Sequence, residues 1–146
     1  MENAISKGLR NTFLAHTIVS AVLGLLLYVI PGRVLVLLGW VPEKYEVTVG
    51  GTTVSAPGTL LVDPVITRVL GAALLALAFA GFLGWRAKQR QEVSILVSLE
   101  FVFCVLALVA FLVRIVTLGL ALPAIGWVLI IILLAFAVAW GLMLRR

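Results

Sequence analysis

Four long apolar runs separated by short polar stretches organise the chain. The first spans about residues 12–30, with its apolar core from Phe13 to Ile30, and stops at Pro31-Gly32, a strong helix breaker. The second covers residues 64–85. Asp63 before Pro64 reads as a helix cap followed by a proline at the first helical position. The third covers residues 93–114. The fourth, residues 123–144, opens on Pro123. Each run is close to the roughly 20 apolar residues that cross a bilayer. The predicted fold class is therefore all-α: an integral membrane four-helix bundle forming one domain over residues 1–146.

Between the first two runs lies the one sizeable polar segment, an outer loop over residues 40–63. Val47 and Val49 alternate with Glu46 and Thr48, Gly50-Gly51 follows, and then Thr52, Thr53 and Val54. Two β-prone runs around a Gly-Gly pair predict a short extracytoplasmic β-hairpin. It serves either as a cap on the bundle or as a recognition loop. VLVLLGW, ahead of it, is too short to span. It either lies in the interface or extends the first helix past a kink at Pro31. The first run follows Lys7 and Arg10, as a signal peptide would, but its core is long and no A-x-A-like site follows. It reads as a retained span.

Composition agrees with lipid as the solvent. The 146 residues are 64% hydrophobic and 12% charged, and mean hydropathy is +1.27. The net charge of +5 does not point to nucleic acid, because the basic residues sit in short clusters between apolar runs. Lys7, Arg10, Arg86, Lys88, Arg90, Arg145 and Arg146 all fall on one side of a four-span chain. Arg33, Lys44, Arg68 and Arg114 fall on the other, offset by Glu43, Glu46 and Asp63. The positive-inside rule then places both termini in the cytoplasm, and the expected location is the cytoplasmic membrane of a bacterium or archaeon. Trp85 and Trp140 at one interface, with Trp40 and Trp127 at the other, fit an aromatic belt.

Helices in lipid pack through small and polar residues. Ala72, Ala76, Ala80 and Gly84 form an i+4 stripe on the second span, widened by Gly71 and Gly81, and are the expected helix-packing face. Thr12, His16, Ser20, Gly24 and Tyr28 form a mildly polar stripe on the first. The third carries Glu100, Cys104, Ala107, Phe111 and Arg114 on one broad face. Glu100 and His16 are the deep ionisable residues of their spans and lie at similar depths, roughly 8–10 Å from the cytoplasmic side. They are expected to face each other inside the bundle, with Ser20 and Ser98 completing a network. That site is either a structural clasp or a proton or ligand site, since ionisable residues at such depth mark function. Arg33, Arg68 and Arg114 lie at one height at the outer end. They are candidates to anchor at the interface or to bind a lipid phosphate.

Nothing in the sequence signals hydrolytic or nucleotide chemistry: HExxH, GxSxG, Walker and GxGxxG patterns are all missing. One histidine and one cysteine do not build an ordinary metal or haem site, so no metal and no cofactor is expected. Cys104, inside an apolar run, reads as a buried inert thiol. A proton shift on a lipid-soluble substrate, using Glu100, is the one enzymatic route left open. No repeat supports an inverted-repeat transporter.

A first span ending in Pro-Gly, an outer loop, and DPVITRVLGAALLALA opening the second span, with Arg68 followed by Gly71 and Ala72, resemble the small bacterial four-helix membrane proteins of the DoxX-like group. The resemblance implies a four-helix bundle. DoxX itself is an accessory membrane subunit in quinone-linked oxidation of sulfur compounds, and many relatives have no assigned activity. No catalytic residue carries over, and the hairpin-like loop departs from the shortest members. Small multidrug transporters, which keep their glutamate in the first span, do not fit. Neither do glutathione-using membrane enzymes, which need denser arginines. The expected function is a non-enzymatic accessory or structural membrane protein, self-associating or part of a larger membrane complex. The alternative is a small transporter or a binder of a hydrophobic ligand, a quinone or lipid, centred on Glu100 and His16.

Overall fold

A computed structural model describes residues 4–118 and 122–145. In chain order it contains α1 (Lys7–Val29), α2 (Pro31–Leu37), β1 (Lys44–Val49), β2 (Thr52–Pro57), α3 (Pro64–Arg86), α4 (Ser94–Leu118) and α5 (Ala124–Leu144). Single 3-10 turns precede α3 and α4. The four helices α1, α3, α4 and α5 are long and apolar enough to cross a membrane, as the hydropathy pattern predicts. Their outward faces carry large exposed apolar side chains such as Ile66, Val69, Ile95 and Val116. A surface of that kind suits acyl chains rather than water.

The local chemistry that sets the helix ends is plain. The Ser6 hydroxyl accepts from the Leu9 amide at 3.2 Å and caps α1. Asp63 accepts from the Val65 and Ile66 amides at 2.8 and 3.1 Å, and Pro64 takes the first helical position of α3. Val34 to Leu37 of VLVLLGW belong to the separate short helix α2, and Leu38 to Trp40 lie past its end. Ile30 leaves helical geometry (φ −128°, ψ 57°), and Pro31 starts α2 where its missing N–H costs nothing. In the hairpin, β1 and β2 pair antiparallel with Val49 opposite Thr52. Gly50 and Gly51 both adopt positive φ, 58° and 83°. That is the two-residue turn whose twist matches the strands, and it suits glycine at both positions.

The bundle is built from two antiparallel pairs, α1 with α3 and α4 with α5, which touch each other less extensively. Both described ends of the chain and the α3–α4 connection gather at one end. There the Ile5 amide donates to the Lys88 carbonyl at 3.2 Å, Arg10 Nε donates to the Trp85 carbonyl at 3.0 Å, and Arg90 donates to the Met143 carbonyl. This is the terminal end; the hairpin lies at the other. Arg146, part of the expected basic cluster, lies outside the described residues.

The packing face of α3 differs from the expected stripe. Thr67, Gly71, Leu74, Ala78, Gly81 and Gly84 are buried. Ala72 and Ala76 are exposed and Ala80 is half-buried. At 3.6 residues per turn, each step of four overshoots a full turn by about 40°, so a strict i+4 row winds off the contact line. Alternating steps of three and four stay on it. The two rows meet again at Gly84, which packs on the Phe13 ring. The same drift affects α1, which buries Leu9, Phe13, His16, Ser20, Gly24 and Leu27 while Tyr28 is exposed. The aromatic belt also needs correction. Trp140 is wholly buried against Phe13, ring centroids 4.8 Å apart, because its indole turns into the bundle rather than out to an interface.

Candidate functional site

The polar residues of the interior fall at two levels. At the level nearer the terminal end, α1 supplies His16 and Ser20 and α4 supplies Glu100. His16 Nε2 lies 3.2 Å from Glu100 Oε2 and 3.4 Å from Ser20 Oγ. The His16–Glu100 approach has the distance of an ion pair but lies off a hydrogen-bond line, whereas the Ser20 contact meets hydrogen-bond geometry. Glu100 is 0% exposed. The side chains that surround this cluster are aromatic. Phe136 presents an edge to the imidazole at 4.9 Å between centroids, and Trp140 lies at 6.0 Å. Several polar atoms here are sealed from solvent without a hydrogen-bond partner: His16 Nδ1, both Glu100 carboxyl oxygens and Trp140 Nε1.

The pairing of His16 with Glu100 is therefore present in the geometry, and Ser20 joins it. Ser98 does not. It is exposed on the far side of α4, where its hydroxyl donates to the Ser94 carbonyl at 3.2 Å. Ser98 is two residues from Glu100, about 200° around the helix, so the two cannot share a face. Cys104, one turn along α4 from Glu100, is fully buried. Among the described residues, no group of three or more His, Cys, Asp or Glu could hold a metal ion.

Above this cluster lies a cavity of about 270 Å³ between the two helix pairs. His16 and Ser20 line its end nearer the termini, and Trp40 and Phe111 line its end nearer the hairpin. Its walls are otherwise apolar, with Leu74 from α3 and Leu133 from α5 among them. Along α1 the lining runs from His16 to Leu27, roughly 16 Å at the helical rise. Leu70 of α3 and Leu106 of α4 line it and are also exposed, so it opens sideways between those helices. Glu100 does not reach the cavity; His16 stands between them.

The three hairpin-end arginines do not form one cluster. Arg33 is exposed on α2 and lines a shallow groove with Glu43 and Lys44 beneath the hairpin. Arg68 is exposed and its Nε donates to the Tyr28 carbonyl at 3.3 Å. Arg114 turns inward. It is 7% exposed, and its Nη2 donates to the Gly39 and Trp40 carbonyls at 2.9 and 3.3 Å. Both carbonyls lie just past the C-terminal end of α2, where a cation is favourable.

Two members of this region escape sequence reasoning. Trp140 and Trp40 read as interface markers because a tryptophan near a helix end usually is one. In the fold, Trp140 flanks His16, and Trp40 packs edge-on to Phe111 at 5.3 Å at the cavity's hairpin end. The spacing of Phe111 and Arg114, three apart on α4, was the one available signal that both point inward. Comparisons of the chain with protein-family models, with curated proteins and with solved structures produced no match.

Proposed function

We propose that this chain is an integral membrane protein that binds one hydrophobic ligand between its two helix pairs. Both termini then face the cytoplasm of a bacterium or archaeon, and the hairpin lies outside. The observation that carries the reading is the apolar cavity, which opens sideways between α3 and α4 where acyl chains would lie. Its 270 Å³ lies just below the ~300–1,000 Å³ usual for small-molecule sites. A lipid-soluble molecule enters such a space without crossing water. The His16–Glu100 pair closes the cytoplasmic end and ties α1 to α4, so that the two helix pairs are held with a gap between them. Binding alone accounts for this arrangement, and no catalysis is assigned.

A second reading is the accessory subunit that the likeness to the DoxX-like group suggests. It is favoured by Ala72 and Ala76, small residues exposed on the outward face of α3 where another helix could approach closely. Native mass spectrometry of protein extracted gently from its own membrane separates the two. A monomer carrying one small hydrophobic mass, absent from the cavity-filling variant Ala107→Phe, supports the binder. A defined oligomer or added protein mass, with no small molecule, supports the subunit and sinks the binder.

A further inference from the structure

We infer that the ligand of this cavity is a single-chain amphiphile whose anionic head, a carboxylate or phosphate, is held by Arg114. The inference rests on the ligand-binding reading above and names its ligand class. Arg114 is 7% exposed, yet among the described residues the one ion pair is His16–Glu100, so no carboxylate neutralises the guanidinium. Its Nη2 is occupied by two backbone carbonyls, while Nε and Nη1 are buried without partners. A buried cation with unused donors is costly unless an anion completes its shell.

The location supplies the second half of the argument. Phe111 and Ala110, three and four residues before Arg114, both line the cavity. That spacing puts them on the same helix face as Arg114. Trp40, whose carbonyl accepts from Arg114, lines it as well. Arg114 is not itself a lining residue; its unpaired charge stands about one turn beyond the hairpin end of the apolar chamber. The opposite end also holds buried polar atoms without partners, but its acid and base face each other: His16 lies 3.2 Å from Glu100 and 3.4 Å from Ser20. An apolar tail pointing toward His16 with an anionic head at Arg114 matches both ends. Arg33 and Arg68, being exposed, are free to meet solvent or headgroups and do not substitute for it.

The test is equilibrium binding of radiolabelled dodecanoate and dodecanol to the full chain in phosphatidylcholine nanodiscs, with empty nanodiscs subtracted. The wild-type protein should hold dodecanoate at least about tenfold more tightly than dodecanol, the worth of one charge-assisted hydrogen bond. Arg114→Gln should remove that preference, and Arg114→Lys, which keeps the charge, should restore most of it. Ala107→Phe should abolish binding of both chains with Arg114 intact. Equal binding of the two probes to the wild type overturns the inference and leaves the cavity reading standing; this comparison needs no variant to fold. Displacement of dodecanoate by inorganic phosphate would reveal a free-anion site and overturn the amphiphile. Failure of both probes to bind overturns the inference and the cavity reading together.

Discussion

Gly24 of α1 and Gly71 of α3 meet backbone to backbone. A Cβ placed on Gly24 would come within 2.9 Å of the Gly71 carbonyl oxygen, and one on Gly71 within 2.8 Å of the Gly24 carbonyl oxygen. Contacts this short to backbone cannot be relieved by turning a side chain. The two glycines therefore fix how closely the first helix pair approaches, which in lipid is the main source of helix–helix attraction. Gly71→Ala should destabilise the bundle by about 1–3 kcal/mol, the usual cost of overpacking. Ala72→Leu, one residue away but exposed, should leave it within about 0.5 kcal/mol, as surface changes do. Unfolding midpoints in a mild detergent would check both. A Gly71→Ala midpoint equal to wild type would show that α1 and α3 do not cross here.

The contrast between Gly71 and Ala72 shows how far the sequence could be read. Hydropathy alone marks the four long helices, because each run has the length and composition that lipid demands. The hairpin is legible from Gly50-Gly51, since few other pairs accept positive φ twice in succession. Matching depth brings His16 and Glu100 together. Rotation about the helix axis is harder to read. A row of residues four apart looks like a face on paper but winds by about 40° per step, so Ala72, Ala76 and Ala80 slide off the contact line and Gly71 takes their place. The inward turn of Trp140 is legible only in three dimensions, and that of Arg114 only through its shared face with Phe111, because both residue types also serve as interface anchors. The cavity has no sequence signature, since it depends on the gap between two helix pairs.

Asp63 holds the start of α3 through one carboxylate oxygen, which accepts hydrogen bonds from the Val65 and Ile66 amides. Replacing it with alanine leaves two helix-terminal donors without their partner and should cost about 1 kcal/mol, within the usual range for a lost N-cap. Asp63→Asn retains an acceptor oxygen and should lose only a few tenths of that, because Asn is a comparably good cap. Thermal unfolding of the two variants side by side gives the answer. Equal losses would assign the effect to charge rather than to capping.

Cys104 is 0% exposed and sits in the core with Phe13, Val97 and Trp140. A buried thiol is inert because neither reagent nor base reaches it. A maleimide should therefore leave the folded protein unlabelled over hours and label it fully in denaturant, as read by the added mass. The same reaction serves as a probe of the bundle: Gly71→Ala should speed labelling if it loosens the helix pairs. Rapid labelling of the folded wild type would place Cys104 outside the core.

The His16–Glu100 contact joins the two helix pairs, and its energetics predict an unequal response to single and paired changes. His16→Leu strands a buried carboxyl without a partner, which costs about 3–5 kcal/mol by analogy with broken buried pairs. Glu100→Leu leaves behind an imidazole that still has Ser20 at 3.4 Å, so its loss should be smaller. The double variant removes both polar groups and fills the space with apolar atoms of similar bulk. It should recover most of the loss, because an apolar replacement of a buried pair is often close to neutral. The measurement is a double-mutant cycle of unfolding free energies in detergent, which reports the coupling between the two side chains. A coupling of at least about 1 kcal/mol is expected for groups in contact. Simple additivity would mean that the 3.2 Å approach contributes nothing to holding the bundle, and the floor of the cavity would then have to be sought in Phe136 and Trp140 instead.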